Sequence, residues 1–386
     1  MVHRPWWTQR LEYAWKERSI VWLSGVRRAG KTLLCQSLDN TEYFDCELPR
    51  TRRWLDDPEE FLDQHRGHRL VLDEIHRLTN PSQLLKIAAD HYPSTKVIAT
   101  GSSTLGASRK FRDTLAGRKA EVWLTPLTLE DLTAFGKPDL HHRLLHGGLP
   151  PMFLAPSIPE SAFQEWMDAY WAKDIQTLFR LERRHSFERF AELLFAQSGG
   201  LFEATRFTRA CEVSRQTIMN YLTVLESTYL VHLVRPFSTH RATEIVSAPK
   251  VYAFDTGFVC YHRGWTNLRP EDLGLLWEHI VLNELHARLQ TRRIGYWRDK
   301  RGHEIDFILA RRGQEPLALE CKWSAKDVDL VNLKAFAHLY PDADLRVIAH
   351  DIDKTIRRRS DSLTITYCNL NTLLNSLSEE SSFLPE

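Results

Sequence analysis

The sequence lacks any apolar run long enough to cross a membrane, and its first residues, MVHRPWWTQR, lack the apolar segment of a signal peptide. Its six cysteines are scattered and form no C-x-x-C pair, which argues against a disulfide framework or a structural zinc. The net charge is only +1, so any contact with nucleic acid must come from local patches. These absences predict a cytoplasmic protein that has no membrane partner.

The composition is that of a globular protein. Because 43% of the residues are hydrophobic and 26% are charged, we expect folded domains rather than disordered segments. At 386 residues, the chain is long enough for two or three domains, each with its own core.

A glycine-containing segment, SGVRRAGKT at 24–32, follows the apolar run 20–23. Its spacing fits the phosphate-binding loop G-x-x-x-x-G-K-[ST], with Gly25, Gly30, Lys31 and Thr32. A strand before the loop and a helix after it would direct backbone N–H groups at phosphates. We expect Lys31 to reach the β- and γ-phosphates of ATP, Thr32 to bind Mg²⁺, and Arg28 to contact the nucleotide. The alternative is a loop that matches by chance.

A second segment, HRLVLDEIHRL at 68–78, is an apolar strand that ends in Asp73 and Glu74. An acid at such a strand end can hold Mg²⁺, and a second acid can polarise the attacking water. We assign Asp73 to the metal and Glu74 to the general base. A surface acidic pair is the alternative, but two such motifs in this order argue against coincidence. The sequence therefore predicts an ATP site.

Two further segments offer catalytic candidates. The strand KVIATGSS (96–103) ends in hydroxyls, so Ser102 or Ser103 could contact the γ-phosphate or the attacking water; a turn or helix cap is the commoner reason for such residues. Arg118 follows a glycine in LAGRKAEVWL. An arginine often neutralises the transition state of phosphoryl transfer, although most arginines are solvated surface groups.

The segments GVRRAGKT, LVLDEIH, IATGSS, AGRK…LTPLTLEDL and HGGLPPMF resemble the AAA+ ATPase module of a bacterial and archaeal family. That family couples the module to a winged helix and a C-terminal PD-(D/E)XK-like domain. The resemblance covers roughly residues 20–350 and implies a homo-oligomer in the form of a ring, such as a hexamer, with Arg118 as the arginine finger. A second sensor arginine cannot be chosen between 140 and 200, because RLERRHSFER offers several candidates.

The segment TRFTRACEVSRQTIMNYLTVLESTYLVHLV (205–234) is typical of a helix, a turn, a second helix capped by Ser214, and a strand. One face of the second helix is apolar, with Ile218, Leu222 and Leu225, and its polar residues lie near the N-terminus, as in a helix-turn-helix. The strand at 230–234 and residues 235–254 would form the wing. We name Arg215, Asn220 and Arg241 as candidate DNA contacts. A lid or a protein contact is the alternative, because acidic and basic residues nearly balance over 201–250.

The C-terminal part carries a second candidate site. A helix at 274–290 precedes predicted strands at 294–298, 304–310 and 317–322, a helix near 329–339 and a strand near 345–349. If the strands pair, Asp306, Glu320 and Lys322 gather at one place, where two carboxylates and a backbone carbonyl suit Mg²⁺ and an ammonium can stabilise a phosphodiester under attack.

Spaced as D-x13-E-x-K in an α-β-β-β-α-β order, these residues resemble the PD-(D/E)XK nuclease core. The resemblance implies that Asp306, Glu320 and Lys322 are its catalytic triad and that Glu278 is a candidate fourth acid. Charged alternation on a half-exposed sheet is the alternative, and the fold alone does not guarantee cleavage.

Together these patterns predict an α/β protein of four domains: an AAA+ P-loop NTPase core at 1–140, a helical lid at 141–200, a winged helix-turn-helix at 201–255 and a PD-(D/E)XK nuclease-like α/β domain at 256–386. We predict ATP and Mg²⁺ as cofactors, DNA as partner, and ATP-driven DNA remodelling, translocation or branch migration, with metal-dependent cleavage as an added activity. The main rival is an ATP-controlled signalling or defence switch whose C-terminal domain binds a protein. A third hypothesis, a non-hydrolysing DNA-binding scaffold, conflicts with the intact Asp73-Glu74 pair.

Overall fold

The computed structural model describes residues 2–101, 109–157, 160–176, 179, 181, 183–238, 248–310, 313–360 and 363–379. Three predicted site residues, Ser102, Ser103 and Arg241, lie outside these ranges. The chain divides into two compact units. The first unit comprises residues 1–140, 148–183 and 223–230, and the second comprises 141–147, 184–222 and 231–386. The predicted division into four domains stays a prediction.

The first unit is built on a five-stranded parallel sheet with the order β2-β3-β4-β1-β5. Its strands are β1 (Ile20–Ser24), β2 (Glu42–Asp45), β3 (Arg69–Asp73), β4 (Lys96–Thr100) and β5 (Lys119–Trp123). The central strand β1 is buried along its whole length, as expected of a parallel strand covered on both faces. The carboxyl ends of β1 and β3 therefore meet at one edge of the sheet.

Helices and short turns connect these strands. Proline begins five of the helices, where its fixed φ suits the first turn and its missing N–H is not needed. The described helices of this unit are Pro5–Glu17, Lys31–Gln36, Pro49–Trp54, Pro58–Gln64, Pro81–His91, Arg109–Thr114, Leu129–Ala134, Pro150–Leu154 and Glu160–Tyr170, with a 3₁₀ turn at Ile75–Arg77 and a π-helical turn at Trp171–Ile175.

The second unit is built on a nine-stranded mixed sheet with the order β13-β14-β12-β11-β10-β9-β7-β8-β6. Its strands are β6 (Gly200–Leu201), β7 (Val231–Pro236), β8 (Lys250–Ala253), β9 (Gly295–Arg298), β10 (Glu304–Leu309), β11 (Leu317–Lys322), β12 (Asp344–Ala349), β13 (Ile356–Ser360) and β14 (Leu363–Cys368). The parallel pairing of β7 with β9 joins the strands from the predicted wing to those of the predicted nuclease-like domain.

The described helices that contribute to the second unit are Leu140–His146, Arg184–Ala196, Ala204–Cys211, Arg215–Ser227, Thr256–His262, Pro270–Leu289, Val331–Leu339 and Leu370–Glu379, with a 3₁₀ turn at Ala325–Asp327. The helix Pro270–Leu289 is buried on nearly every side, which identifies it as a core helix. The predicted order of helix and strands from 274 to 349 is confirmed as secondary structure; the nuclease assignment is not tested by it.

One detail of β10 differs from the regular alternation of side chains along a strand. The alternation places Ile305 and Ile308 on opposite faces, yet both belong to the same core cluster. The pairing with β9 shifts register between these two residues, and a bulge of this kind changes which face the following residues occupy. Asp306 lies within this irregular stretch.

The two helices of the predicted helix-turn-helix are present, at Ala204–Cys211 and Arg215–Ser227. Ser214 caps the second helix, because its Oγ accepts from the backbone N–H of Thr217 at 3.1 Å. The predicted apolar face is buried, with Ile218, Leu222 and Leu225 at most 3% exposed. Among the described residues, no helix is both long and apolar enough to span a membrane.

Candidate active sites

The phosphate loop lies between the end of β1 and the helix that begins at Lys31. Gly25 has a φ of 140°, and a Cβ there would lie 2.4 Å from the carbonyl oxygen of Leu124. Gly30 has a φ of 99°. Both conformations are rare for residues with a side chain, so the two glycines of the motif are required by the backbone path. Arg28 is exposed and also adopts a positive φ, of 62°.

Lys31 is folded over its own loop. Its Nζ donates to the backbone carbonyl oxygens of Gly25 at 2.9 Å and Val26 at 3.1 Å. Burial lowers the pKa of Lys31, and the nearby Glu74 opposes that effect. The ammonium is thus held over the loop, and its role as a ligand of the β- and γ-phosphates stays a prediction.

Asp73 is the acceptor for three hydroxyl groups. Thr32 Oγ1 donates to its Oδ2 at 2.8 Å, Tyr43 Oη donates to the same oxygen at 2.6 Å, and Thr100 Oγ1 donates to Oδ1. Only 3% of Asp73 is exposed. The adjacent hydroxyl and carboxylate oxygens of Thr32 and Asp73 fit Mg²⁺, which prefers oxygen ligands. Sequence reasoning did not identify Tyr43 or Thr100, because each belongs to a strand beside β3 and carries no motif of its own.

Glu74 follows Asp73 in a left-handed conformation, with a φ of 54°, which is uncommon for a residue other than glycine and is often found at functional sites. Its Oε2 lies 3.1 Å from His76 Nδ1. Burial would raise the pKa of Glu74, but the hydrogen bond from His76 and the charges of Lys31 and Arg27 bring it below its ordinary value. Glu74 is therefore a carboxylate at neutral pH, the form that a general base requires.

Arg118 lies on the surface of the first unit. It forms two hydrogen bonds to Asp90, from Nε at 2.7 Å and from one terminal nitrogen at 3.1 Å. The hydrogen bond lowers the pKa of Asp90. The Arg118 side chain is 35% exposed, and its role as an arginine finger for a neighbouring subunit stays a prediction.

The C-terminal candidates come together on β10 and β11. Asp306 Oδ2 accepts from the backbone N–H of Cys321 at 2.8 Å, and Lys322 Nζ lies 2.9 Å from Glu320 Oε1. Glu320 is 2% exposed, and its Oε2 has no hydrogen-bond partner among the described residues. The two buried carboxylates and the partly exposed ammonium of the predicted triad therefore belong to one cluster.

A second lysine, Lys250 on β8, enters this cluster. Its Nζ lies 2.8 Å from Glu304 Oε1 and 3.9 Å from both Glu278 Oε2 and Asp306 Oδ1. Tyr252, two residues further along β8, donates its hydroxyl to Glu278 at 2.8 Å. Lys250 was not recognised in the sequence because it lies far from the D-x13-E-x-K pattern and reaches the acids only through sheet pairing.

The cluster contains more carboxyl groups than ammonium groups. Burial and the neighbouring Asp306 raise the pKa of Glu320 to about 8 and that of Glu278 to about 7. No group of three or more His, Cys, Asp or Glu side chains is arranged to hold a metal ion in the described part of the chain. Glu320 Oε2, which has no hydrogen-bond partner among the described residues, leaves room for a cation, and binding of Mg²⁺ by Asp306, Glu320 and a backbone carbonyl stays a prediction.

The predicted DNA contacts are accessible where they are described. Arg215 and Asn220 are exposed on the helix Arg215–Ser227. Asn220 accepts a hydrogen bond from Gln216 at 3.1 Å. These side chains form a polar surface at the start of the helix, and nothing in their geometry selects DNA over another polar partner.

The buried parallel strand β1 leads into the phosphate loop, Asp73 accepts a hydrogen bond from Thr32, and Glu74 is close enough to Lys31 for their charges to interact. These features define a P-loop ATPase. Residues 17–133 match a family described as "AAA domain", so the first unit contains an AAA-type ATPase module. Residues 137–269 and 273–371 match two families, each described as a domain of unknown function (DUF8612 and DUF4143).

Among proteins of similar sequence, an uncharacterized protein of Mycobacterium tuberculosis is 29% identical over 325 residues, covering 81% of this chain and 72% of that protein. An uncharacterized protein of Methanocaldococcus jannaschii is 23% identical over 333 residues, covering 75% and 72%. Among solved structures, the Walker-type ATPase of Pyrococcus abyssi has a TM-score of 0.43 at 17% identity, covering 68% of this chain and 96% of that one.

Proposed function

We propose that this protein hydrolyses ATP and couples the turnover to work on DNA. The AAA domain match and the geometry around Lys31 and Glu74 support ATP hydrolysis. The observation that carries the second half of the proposal is the cluster of Asp306, Glu320 and Lys322 in the other unit. Two acids and an ammonium at one place are the groups that act on phosphodiesters.

The chemistry follows from the side chains of the cluster. Asp306 and Glu320 would hold Mg²⁺, which when bound supplies positive charge to a phosphodiester and to its leaving oxygen. Lys322 Nζ, which is bonded to Glu320 in this structure, can orient a water or stabilise the charge that develops on the phosphate. Asp306 is fixed by the Cys321 amide, so one ligand is positioned before any substrate arrives.

A basic edge strand supports nucleic acid as the substrate class. The strand β13 carries Arg357, Arg358 and Arg359 in succession, all exposed, at one edge of the nine-stranded sheet. Three strand spacings separate β13 from β11, so the two strands are about 14 Å apart. Arginines at that distance could contact the backbone of a DNA that also reaches Lys322, since phosphate contacts dominate the affinity of proteins for DNA.

ATP turnover in the presence of different DNA forms tests the proposal. We expect duplex, single-stranded, forked or four-way DNA to stimulate the ATPase rate, and we expect the stimulation to fall as salt rises because phosphate contacts release counterions. A triple variant with Arg357, Arg358 and Arg359 changed to Gln should lose stimulation but keep the basal rate. ATP turnover that ignores every DNA form, at low salt, would contradict the proposal.

Cleavage is tested separately with Mg²⁺ or Mn²⁺ and the same DNA forms, with and without ATP. We expect Lys322→Ala to abolish cutting and to leave basal ATP turnover unchanged, because Lys322 belongs to the second unit and the ATPase motifs to the first. Cutting that survives in Lys322→Ala would show that the lysine is not catalytic. A wild type that never cuts would contradict the nuclease activity and favour a binding or structural role for the cluster.

A second candidate function is an ATP-controlled switch whose C-terminal unit binds a protein. The observation that favours it is Lys250, whose Nζ lies within 4 Å of Glu278, Glu304 and Asp306 and partly compensates their charge in the described structure. A cluster compensated by its own lysines can be structural and need no metal. A switch of this kind would bind nucleotide and change its assembly, and its ATPase rate would not respond to DNA.

A further inference from the structure

The phosphate loop forms an ion pair with a helical segment that follows it by more than a hundred residues. Arg27 Nε donates to Asp174 Oδ2 at 2.9 Å. The side chain of Asp174 is only 7% exposed and that of Arg27 is 25% exposed, so solvent screens this pair less than it would a surface pair. Asp174 lies in the π-helical turn Trp171–Ile175, a rare conformation that often marks functional positions.

The same segment also binds the main chain at Arg27. Trp166 Nε1 donates to the carbonyl oxygen of Arg27 at 3.3 Å. Trp166 is fully buried and stacks on Tyr170, whose hydroxyl is hydrogen-bonded to Thr228 at 2.6 Å. The segment 160–175 thus contacts both the backbone and the side chain of one loop residue.

The charges of this pair act on the catalytic groups. The positive charge of Arg27 contributes to the lowered pKa of Glu74, and both Arg27 and Asp174 influence the pKa of Lys31. Arg27 and Asp174 therefore lie around the space that Lys31 and Glu74 also face. In a P-loop ATPase, that space receives the β- and γ-phosphates.

We propose that Arg27 is a phosphate ligand of the ATPase site, supplied by the same chain, and that Asp174 competes with the phosphates for it and holds it until nucleotide binds. A nucleotide phosphate offers a guanidinium more charge and more acceptor oxygens than one carboxylate does. Binding of ATP therefore transfers Arg27 from Asp174 to the phosphates and releases the side-chain contact between the loop and the segment 160–175. This inference rests on the ATPase function proposed above. It adds a phosphate ligand to the site and links nucleotide binding to the segment 160–175.

The affinities of Arg27 and Asp174 variants for fluorescent ATP and ADP analogues test the inference. Arg27→Ala should weaken ATP binding about 10–100-fold, the usual range for a charged hydrogen bond of about 1.5–3 kcal/mol, and ADP binding much less. Asp174→Asn should tighten ATP binding several-fold, because the competing carboxylate has lost its charge. Arg27→Lys should restore part of the ATP affinity, since it keeps the charge without the planar fork.

The opposite signs of these effects distinguish a phosphate ligand from a structural anchor. If the pair only anchors the loop, Arg27→Ala and Asp174→Asn weaken ATP and ADP to the same extent, and the inference is wrong. Arg206→Ala, which breaks the exposed Arg206–Glu203 pair, is the matched control and should change neither affinity. A wild type that binds no nucleotide would overturn the ATPase function and this inference together, whereas a hydrolysing wild type with an unaffected Arg27→Ala would overturn this inference alone.

Discussion

The hydroxyl of Tyr43 donates to the carboxylate of Asp73 at 2.6 Å, although the two residues are 30 positions apart. It shares Asp73 Oδ2 with Thr32, the predicted Mg²⁺ ligand of the phosphate loop. Tyr43 lies on β2, which pairs with β3 in parallel. Parallel pairing therefore brings a phenol to the carboxylate at the strand end and fixes its orientation.

Changing Tyr43 to Phe should raise the Mg²⁺ concentration needed for half-maximal ATP turnover. Residues that orient a metal ligand typically affect metal affinity or activity by about 10–100-fold, and Phe removes only the hydroxyl. A Mg²⁺ titration of the ATPase rate measures the effect. Tyr13→Phe, at an exposed tyrosine, is the control, and an unchanged Mg²⁺ requirement in Tyr43→Phe would show that the hydrogen bond has no such role.

Lys31→Ala and Glu74→Gln should affect different steps of ATP hydrolysis. Lys31→Ala removes the ammonium that lies over the loop and should weaken ATP binding. Glu74→Gln keeps the size of the side chain and should preserve binding, while turnover falls about 10²–10⁴-fold because the base is lost. Equilibrium binding and single-turnover hydrolysis separate the two effects. Near-normal hydrolysis by Glu74→Gln would rule out the assignment of the base.

Arg118 should act across a subunit interface. Its guanidinium is presented at the surface of the first unit with Asp90, so a neighbouring subunit can reach it. We expect Arg118→Ala and Lys31→Ala to be inactive alone and to regain part of the ATPase activity when mixed, because some mixed interfaces join an intact Lys31 to an intact Arg118. If mixtures shown to co-assemble gain no activity, the role in trans is wrong.

Gly25→Ala should destabilise the first unit much more than Gly67→Ala. Both glycines have positive φ, but a Cβ at Gly25 would lie 2.4 Å from the Leu124 carbonyl oxygen, whereas a Cβ at Gly67 would have nothing within 4 Å. Gly67→Ala should therefore cost only about 1–2 kcal/mol of backbone strain. Urea unfolding and nucleotide binding of both variants provide the measurement. Equal losses in the two would mean that the loop can move away from Leu124.

The stability of the protein in EDTA should fall as the pH rises from about 5 to 8.5. The pKa of Glu320 is raised from 4.5 to about 8, so the folded state binds this proton more tightly than the unfolded state does. Its stabilising effect is complete below pH 4.5 and is lost as the pH rises through 8, with a slope of up to about 1.4 kcal/mol per pH unit. Glu278, with a pKa raised to about 7, acts in the same direction.

Glu320→Gln should flatten that dependence, because an amide does not titrate. Urea unfolding at several pH values, with metal removed, measures the slope. Glu203→Gln, at an exposed ion pair, is the control and should keep the wild-type slope. A Glu320→Gln protein with the wild-type pH dependence would show that Glu320 is not the group responsible.

The sequence by itself determined the parts whose chemistry is local. The spacing of Gly25, Gly30, Lys31 and Thr32 predicts the phosphate loop because the loop and its helix are formed by neighbouring residues. Apolar strands followed by acids predict the position of Asp73 and Glu74, and the predicted strands at 294–298, 304–310, 317–322 and near 345–349 match β9 to β12 to within one residue. In each case the signal and the structure it describes lie within about ten residues.

Tertiary structure alone decided which distant side chains complete each site. Tyr43 and Thr100 reach Asp73 through the pairing of β2, β3 and β4, and Asp174 reaches Arg27 from a helical segment 147 residues away. Lys250 meets the acids of β10 only because β7 and β8 join the same sheet. A single tyrosine, lysine or aspartate carries no pattern that marks such a contact. The register of strands and the packing of helices decide it, and both depend on burial across the whole chain.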